Sequence, residues 1–246
     1  LTVLTWLVVA VAVAGVIVRP FHWPEYVWAV AGAILVVLLT TVPVEAALAA
    51  AARGTDVYLF LIGMMLLSEV ARGQGLFDYL ARLAVQVSGG SRARLFAIVY
   101  AVGTVVTVFL SNDATAVVLT PAVAAATRTA RVEPLPYLFI CAFIANAASF
   151  VLPISNPANL VLYGDHMPAL PVWLLRFAVP SALSIVATFV ALRLAHRQDL
   201  GGPVDQSDKP QPLSAGGRLV AAGIVATAIL LLVASSFGWQ LGLPTF

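Results

Sequence analysis

Two apolar stretches of the chain are each interrupted by polar residues, and the two interruptions are alike. Both contain a Ser-Asn pair with proline nearby, in FLSNDATAVVLTPAV (109–123) and NAASFVLPISNPANLV (146–161). Lipid offers no partner to a backbone N–H or C=O group, so non-helical backbone at membrane depth occurs only where it is buried in protein or lines a wet cavity. Paired interruptions of this kind are typical of the solute site of a membrane transporter. We therefore predict that the two stretches form two walls of one site.

Asp113, in the first interruption, is the one acid deep in an apolar segment. A charged side chain near the bilayer centre costs a few kcal/mol, so its presence there indicates a function. Two interpretations are open. Asp113 either binds or carries a proton, a cation or a polar solute, or it caps the helix that begins at Ala114, since Ser-Asn-Asp is also a favourable N-cap sequence. Both hold if the cap lies at the tip of a hairpin and points into a cavity.

The other candidate ligands are amides and hydroxyls at the two interruptions. Pro153 and Pro157 disfavour a continuous helix, so freed carbonyls and half-helix ends are predicted to face the cavity. Pro121 frees a carbonyl that Thr120 is placed to satisfy, although a simple kink is the favoured account of this proline. The predicted solute- or ion-binding residues are Asn112, Asp113, Thr115, Asn146, Ser155, Asn156 and Asn159, with Ser111, Ser149 and Thr120 as further candidates.

The composition places the chain in a membrane and excludes several classes of function. Hydrophobic residues make up 61% of the chain and charged residues 10%, whereas a soluble domain is about half apolar and about a quarter charged. The net charge of +2 is too small to indicate nucleic-acid binding, and the single cysteine, Cys141, is predicted to be a small buried hydrophobe. The apolar segments contain no Walker motif, His/Glu cluster or Ser-His pair. We therefore expect no enzyme, no catalytic residue, no cofactor and no metal.

Hydropathy predicts an all-α polytopic membrane protein. A span needs about 20 apolar residues, or fewer where neighbouring helices help. Leu76, Leu80, Leu83 and Val87 recur at helical spacing, which indicates a short helix lying in the interface. The predicted order is spans 3–18, 26–42 and 56–71, the interfacial helix 75–88, a re-entrant hairpin 93–127, a broken helix 136–163, a span 173–193, a solvated linker 196–217 and a span 219–237.

The distribution of positive charge indicates whether residues 93–127 cross the membrane once or return to the side from which they entered. Arg92 and Arg94 precede this segment, and Arg128 and Arg131 follow it. A hairpin leaves all four on one face, as the positive-inside rule prefers, whereas a single crossing would separate them. With the hairpin, all of the 13 Lys and Arg residues except Arg53 and Arg176 fall on one side. The prediction is a bacterial inner-membrane protein with its N-terminus outside and its loops 72–94, 128–135 and 194–217 in the cytoplasm.

At the two interruptions the chain resembles the arsenical pump membrane protein family, within the wider ion-transporter superfamily. The matching residues are Asn112-Asp113 with Leu119-Thr120-Pro121, then Asn146 to Ser149, and then Ser155-Asn156 with Asn159. The resemblance implies two inverted repeats, each with a re-entrant hairpin and a broken helix, whose four tips bind the solute. Residues 1–195 would be the first repeat, 196–217 a cytoplasmic linker and 218–246 the start of the second. We therefore expect the N-terminal half of a longer protein, which transports only with its other half or as a homodimer.

The substrate implied by the resemblance is arsenite, together with antimonite. Anion symporters of the superfamily carry Ser-Asn-Thr at the hairpin tip, where this chain has Ser111-Asn112-Asp113. A carboxylate repels an anion, which argues against citrate or a dicarboxylate and favours a cation or a neutral solute such as arsenous acid. The expectation is proton-driven arsenite efflux, with or without a soluble ATPase subunit. The alternatives are a sodium/proton antiporter, an anion symporter of the same superfamily, or a membrane assembly subunit that transports nothing.

Overall fold

The computed structural model describes residues 2–39, 42–163, 166–207 and 211–245. In these residues all regular structure is helical, apart from an isolated bridge between Ser91 and Pro203. The chain divides into two compact units, Leu1–Thr55 and Asp56–Phe246. The predicted site falls entirely within the second unit.

The first unit contains α1 (Thr2–Val18), a 3-10 turn (Pro20–His22), α2 (Glu25–Leu39) and α3 (Val44–Arg53). Helices α1 and α2 pack closely, because Gly15 leaves room for the ring of Trp28 and Gly32 leaves room for Ala12. Small residues at such contacts are typical of membrane helices. Helix α3 was not predicted from the sequence. Its alanine-rich sequence VEAALAAAAR favours a helix but lacks the hydropathy on which spans were assigned.

The second unit is built around one central helix, α6. Its elements are α4 (Thr55–Gly73), α5 (Leu76–Val87), α6 (Arg92–Phe109), a π-helical segment (Ala114–Leu119), α7 (Thr120–Thr129), α8 (Leu135–Ala147), a 3-10 turn (Pro153–Ser155), α9 (Pro157–Tyr163), α10 (Leu170–Ala195), α11 (Ala215–Ser236) and α12 (Gly242–Thr245). Helix α6 packs against α5, α8 and the π-helical segment. Gly103 permits this close approach, because a side chain there would collide with Ile144 of α8.

Aromatic residues join α6 to α8 and α10. The Phe96 ring lies 6.2 Å from that of Tyr137, and the Tyr100 ring lies edge-on to Phe189 at 5.1 Å between ring centroids. The Tyr100 hydroxyl also donates to the Ile185 carbonyl at 2.6 Å, so the phenol is satisfied within the core.

Three helices within the described residues are long and apolar enough to cross a membrane: Arg92–Phe109, Leu170–Ala195 and Ala215–Ser236. Large apolar side chains are exposed along them, for example Leu175 of α10 at 86%. A surface of this kind is stable against lipid rather than water. The chain is therefore an all-α, multi-pass membrane protein, as its composition predicted.

The predicted segments can be placed on the observed helices. Spans 3–18 and 56–71 fall on α1 and α4, and 26–42 falls on α2, although residues 40 and 41 lie outside the described part. The predicted broken helix is α8 with α9, and the last two predicted spans are α10 and α11. Which of these helices cross the bilayer, and in which direction, stays a prediction.

Two elements differ in detail from the sequence analysis. Helix α5 buries Phe77, Ala81 and Ala84. Val87, which helical spacing groups with the apolar residues Leu76, Leu80 and Leu83, is 60% exposed. Its buried face is set by contact with α6 and α7. In the predicted linker, Leu200 and Val204 are buried, so this part is packed rather than solvated. Composition indicates a loop here, but it does not report the backbone hydrogen bonds that Val204 and Asp205 make to Gly90 and Ala130.

Candidate solute site

The chain doubles back at residues 110–113, between α6 and the π-helical segment. Thr107 and Thr115 show the reversal, because residues eight apart in a straight helix are separated by about 12 Å. Their hydroxyl oxygens instead lie 2.8 Å apart and share a hydrogen bond. The Thr107 hydroxyl donates to the Gly103 carbonyl at 2.8 Å, so Thr115 is the donor in the shared bond. Both hydroxyls are buried and tie the two arms together below the tip.

The two feet of this hairpin, Gly90 before α6 and Ala130 after α7, lie on the same face of the unit. The Val204 N–H donates to the Gly90 carbonyl at 2.9 Å, and the next N–H, of Asp205, donates to Ala130 at 3.0 Å. A segment that crossed a bilayer once would separate its ends by about 30 Å. Between the tip and the feet the arms diverge, and α7 packs against α5 and α8 rather than against α6.

Ser111, at the turn itself, has a backbone conformation that favours glycine, with φ at 154°. It is held there by a hydrogen bond from its N–H to the Val106 carbonyl at 3.3 Å. Strained residues of this kind cost on the order of 1–3 kcal/mol and cluster at functional sites. The Ser111 side chain accepts the Ala114 N–H at 3.3 Å and therefore caps the segment that follows.

The segment after the turn is π-helical rather than α-helical, from Ala114 to Leu119. Such segments are rare and are frequent at functional sites, because one extra residue per turn redirects side chains and carbonyls. The carbonyl of Thr115 accepts both the N–H and the hydroxyl of Thr120, the latter at 2.9 Å. Pro121 lies in the first turn of α7, where its missing N–H costs little.

The second interruption is closed by the side chain of Asn159. Its amide nitrogen donates to the carbonyls of Ser149 at 2.9 Å, Pro153 at 3.3 Å and Leu152 at 3.4 Å. These carbonyls belong to the non-helical backbone between α8 and α9. Asn159 is 1% exposed, so it replaces the helical hydrogen bonds of that backbone from within the protein.

Ser155 joins the second interruption to the first. Its hydroxyl accepts the Leu152 N–H at 3.1 Å and donates to the Val108 carbonyl, in the last turn of α6, at 3.0 Å. Ser149 donates to Ala145 at 2.6 Å and accepts the Asn156 amide at 3.3 Å, while the Asn156 oxygen accepts the Ala158 N–H at 2.9 Å. The two interruptions are thus in contact.

A cavity of about 330 Å³ lies where the hairpin tip and the start of α9 meet α4. Its walls are almost wholly apolar, and carboxyl and hydroxyl groups enter them at four positions, Asp113, Ser111, Ser68 and Glu69. The remaining lining residues are Leu61, Met64, Met65, Leu66, Ala114, Val117, Val118 and Pro157.

Asp113 is exposed at the edge of this cavity. Among the described residues its carboxylate has no hydrogen-bond or ion-pair partner, and it does not cap the π-helical segment. The capping interpretation of Asp113 is therefore wrong in this structure, because Ser111 supplies the cap. An unpaired carboxylate in an apolar wall is suited to accept hydrogen bonds from a solute, or to hold a proton or a cation.

The remaining predicted ligands are not all directed at the cavity. Thr115, Ser149, Ser155 and Asn159 are buried, with partners inside the protein. Asn146 is exposed and donates to Ala142 of its own helix at 3.2 Å, away from the cavity lining. The side-chain oxygen of Asn112 is buried and, within the described part of the chain, has no hydrogen-bond partner. Asn112 precedes Asp113 in the turn but is not among the residues that line the cavity.

The wall formed by α4 was missed in the sequence analysis. Glu69 forms an ion pair with Arg72, whose Nε lies 2.8 Å from the Glu69 carboxylate. Glu69 and Ser68 nevertheless line the same cavity as Asp113. The available signal was an acid and a serine ending an otherwise apolar span. Over the described residues, no group of three or more His, Cys, Asp and Glu side chains is placed to hold a metal ion.

Comparison with known proteins identifies relatives that are named as transporters. The chain is 23% identical over 204 residues to an uncharacterized transporter of Synechocystis sp., which covers 79% of this chain and 45% of the relative. It is 26% identical over 135 residues to the uncharacterized transporter YfbS of Escherichia coli K12, covering 54% of this chain and 22% of the relative. It is 28% identical over 188 residues to an arsenical pump membrane protein of Escherichia coli, covering 74% and 44%.

The chain therefore spans less than half the length of each of these relatives. A family model described as CitMHS, citrate transporter, matches residues 4–243, which is nearly the whole chain. The match includes the hairpin, both interruptions and the α4 wall of the cavity. The chain belongs to the CitMHS citrate transporter family.

Proposed function

We propose that this chain supplies one half of the solute site of a secondary transporter that exports arsenite, and with it antimonite, across the bacterial inner membrane. The observation that carries the proposal is the unpaired carboxylate of Asp113 at the edge of an apolar cavity. The resemblance to the arsenical pump membrane protein of Escherichia coli supports the choice of solute.

The chemistry of the cavity suits a small uncharged solute that carries hydroxyl groups. Arsenous acid donates hydrogen bonds, and the Asp113 carboxylate at the cavity edge is an acceptor. The Asn112 oxygen is buried without a partner and would have to turn into the cavity to be a second acceptor. The other walls, from α4 and the π-helical segment, are apolar except at Ser68 and Glu69, and the Glu69 carboxylate is paired with Arg72. A volume of about 330 Å³ admits a small molecule and lies at the lower end of the range for ligand pockets.

The other polar residues of the two interruptions would act on the shape of the site. Ser155 and Asn159 donate to backbone carbonyls at the interruptions, and Thr115 joins the two arms of the hairpin through the Thr107 hydroxyl. Thr120 donates to the Thr115 carbonyl, and Asn156 donates to the Ser149 hydroxyl, so these three residues support the same two interruptions. We assign Asn112 and Asp113 to the solute and the other six to the architecture that holds these two in place.

Citrate is a second candidate because the matching family is described as citrate transporters. The unpaired carboxylate of Asp113 lies on the cavity wall, so a multiply charged anion would meet repulsion there, while Glu69 is already paired with Arg72. A sodium/proton antiporter is a third candidate, since an unpaired intramembrane carboxylate also suits a cation. These candidates differ in the solute that moves and can be separated in one assay.

Coupling and assembly belong to the same proposal. The proton gradient would drive export, with Asp113 as the group that exchanges a proton for the solute. The second half of the site would come from a second inverted repeat or from a second copy of this chain, and a soluble ATPase subunit is a further partner. The basic loops 72–94, 128–135 and 194–217 would face the cytoplasm.

Everted membrane vesicles that contain the complete gene product test the substrate. An imposed proton gradient should drive arsenite uptake, a protonophore should stop it, and citrate should not be taken up. Gradient-driven citrate uptake without arsenite uptake would make the protein an anion symporter. Sodium/proton exchange without uptake of either solute would favour the antiporter.

A further inference from the structure

We infer that residues 199–206, here called the strap, hold the two feet of the hairpin together, and that Gln206 is a positioning residue for the hairpin tip. The strap follows α10 and lies across the loops before α6 and after α7.

Two adjacent backbone amides of the strap reach both feet. The Val204 N–H donates to Gly90 and the Asp205 N–H donates to Ala130, at 2.9 and 3.0 Å. Pro203 forms an isolated antiparallel bridge with Ser91, next to the first of these bonds. Because the arms of the hairpin diverge below the tip, a direct tie between the feet is provided by the strap and not by contact between α6 and α7.

Gln206 anchors the strap to α5. Its side-chain nitrogen donates to the carbonyls of Gln86 at 2.7 Å and Val85 at 2.9 Å, at the C-terminal end of that helix. The Gln86 side chain donates in return to the Gln206 carbonyl at 2.9 Å. The same two carbonyls also accept the Ser88 hydroxyl and the Gly89 N–H. With the reciprocal bond from Gln86, the Gln206 amide fixes the strap against this end of α5.

Arginine side chains next to the two feet make further polar contacts with the strap. The Arg92 guanidinium donates to the carbonyls of Pro203 at 3.2 Å and Asp199 at 3.5 Å. Arg131 lies 3.5 Å from the Asp205 carboxylate. The N–H and hydroxyl of Ser207, and to a smaller degree Arg131, hold the pKa of Asp205 below its usual range, so the carboxylate is ionised at neutral pH. Buried Val204 and Leu200 place an apolar contact beneath these polar ones.

A strap of this kind makes the hairpin behave as one body. The two arms cannot slide past each other while adjacent strap residues bind both feet, so the tip keeps its place beside α4. Loosening the strap lowers the fraction of molecules with a competent tip, and the apparent affinity for solute falls by that fraction.

Hydrogen exchange of the complete transporter tests the strap without any solute. Gln206→Ala removes both donated bonds, and Gln206→Glu keeps the size of the side chain but cannot donate. Gln198→Ala is the matched control, because Gln198 is an exposed glutamine three residues after α10. Both Gln206 variants should raise the exchange rates of the Val204 and Asp205 amides, and of the tip amides of Leu110 and Ser111, by about tenfold. The control should not.

Unchanged exchange at the tip in both Gln206 variants, or faster exchange confined to the strap, would overturn the inference. A second measurement rests on the proposed function: KM for arsenite should rise severalfold in both variants at unchanged maximal rate and unchanged protein level. Faster tip exchange with an unchanged KM would contradict the positioning role. If the unaltered protein moves no arsenite, the proposed function fails, and the exchange rates alone decide the inference about the strap.

Discussion

Asp113 and Asn159 are both polar residues in apolar segments, yet their surroundings are opposite. Asn159 donates to three carbonyls and is almost fully buried. Asp113 is exposed at the cavity edge and, among the described residues, has no partner. A buried polar group is tolerated where its hydrogen bonds are made, and an unpaired charge in an apolar wall is tolerated where it has a function. We therefore expect Asn159 to act on stability and propose that Asp113 acts on transport.

Replacing Asn159 should destabilise the protein far more than replacing Asn146. Asn159→Leu removes the amide donor from the Ser149 and Pro153 carbonyls, while the Leu152 carbonyl keeps the Ser155 N–H, and the loss should cost about 3 kcal/mol. Asn146→Leu removes one exposed hydrogen bond, to the Ala142 carbonyl of the same helix, and should cost less than about 1 kcal/mol. Thermal unfolding of the two purified variants measures the difference. Equal shifts in melting temperature would show that Asn159 does not hold the interruption closed.

At position 111 a glycine variant should be more stable than an alanine variant, which is the reverse of the order in a helix. At its φ of 154° a Cβ is strained and glycine is not. Ser111→Gly should therefore be more stable than Ser111→Ala by about 1 kcal/mol or more, whereas a helical position prefers alanine by about that amount. The comparison needs only thermal unfolding of the two variants, because both lose the same hydroxyl cap. An alanine variant of equal or greater stability would rule out strain at this turn.

The sequence identified the polar residues of the site but not the direction of each side chain. Polar residues amid aliphatic ones are visible in any sequence, so Asp113 and Asn159 were both found. Their roles depend on backbone dihedrals within unwound segments, which no hydrophobic period specifies. Ser68 and Glu69 were missed for the complementary reason: α4 is a regular helix, and nothing local indicates that its end faces the hairpin tip.

At the scale of elements, the two interruptions are built together. Ser155 of the second donates to the last turn of α6, and Pro157 lines the cavity beside Ser111. The hairpin reversal followed from the distribution of arginines, and the structure adds the Thr107–Thr115 bond that ties the arms together. Helix α3 was missed although its alanine-rich sequence favours a helix, because spans were assigned from hydropathy. The packing of the strap could not be predicted, because it depends on backbone hydrogen bonds to distant residues.

The Thr107–Thr115 bond should show energetic coupling between the arms of the hairpin. Valine keeps the shape of threonine without the hydroxyl, so Thr107→Val, Thr115→Val and the double variant form a double-mutant cycle. The coupling free energy should be about 1 kcal/mol in favour of the pair. Unfolding free energies of the four proteins give this value directly. Additive effects would mean that the two hydroxyls do not stabilise the reversal as a pair.

At the scale of the whole molecule, the distribution of Lys and Arg residues predicts which side of the membrane each loop faces. Loop 128–135 should be cytoplasmic and the loop before α10 should lie outside. Glu133→Cys and His166→Cys, each with Cys141 replaced by alanine, report the two sides. An impermeant thiol reagent should label the His166→Cys protein in intact cells and the Glu133→Cys protein only in everted vesicles. Labelling of both from one side would contradict the assignment of α8 and α9 as a crossing.

The most direct test of the account is arsenite uptake by everted vesicles that carry the Asp113→Asn variant. Asparagine keeps the size of the side chain but can neither hold the proton nor bear the charge on which the proposed exchange depends. Asp78→Asn is the matched control, since Asp78 is an exposed acid on α5 away from the cavity lining. With equal amounts of protein in the membrane, the Asp113 variant should lose gradient-driven uptake and the Asp78 variant should keep it. Normal gradient-driven uptake by the Asp113→Asn variant would contradict the central claim.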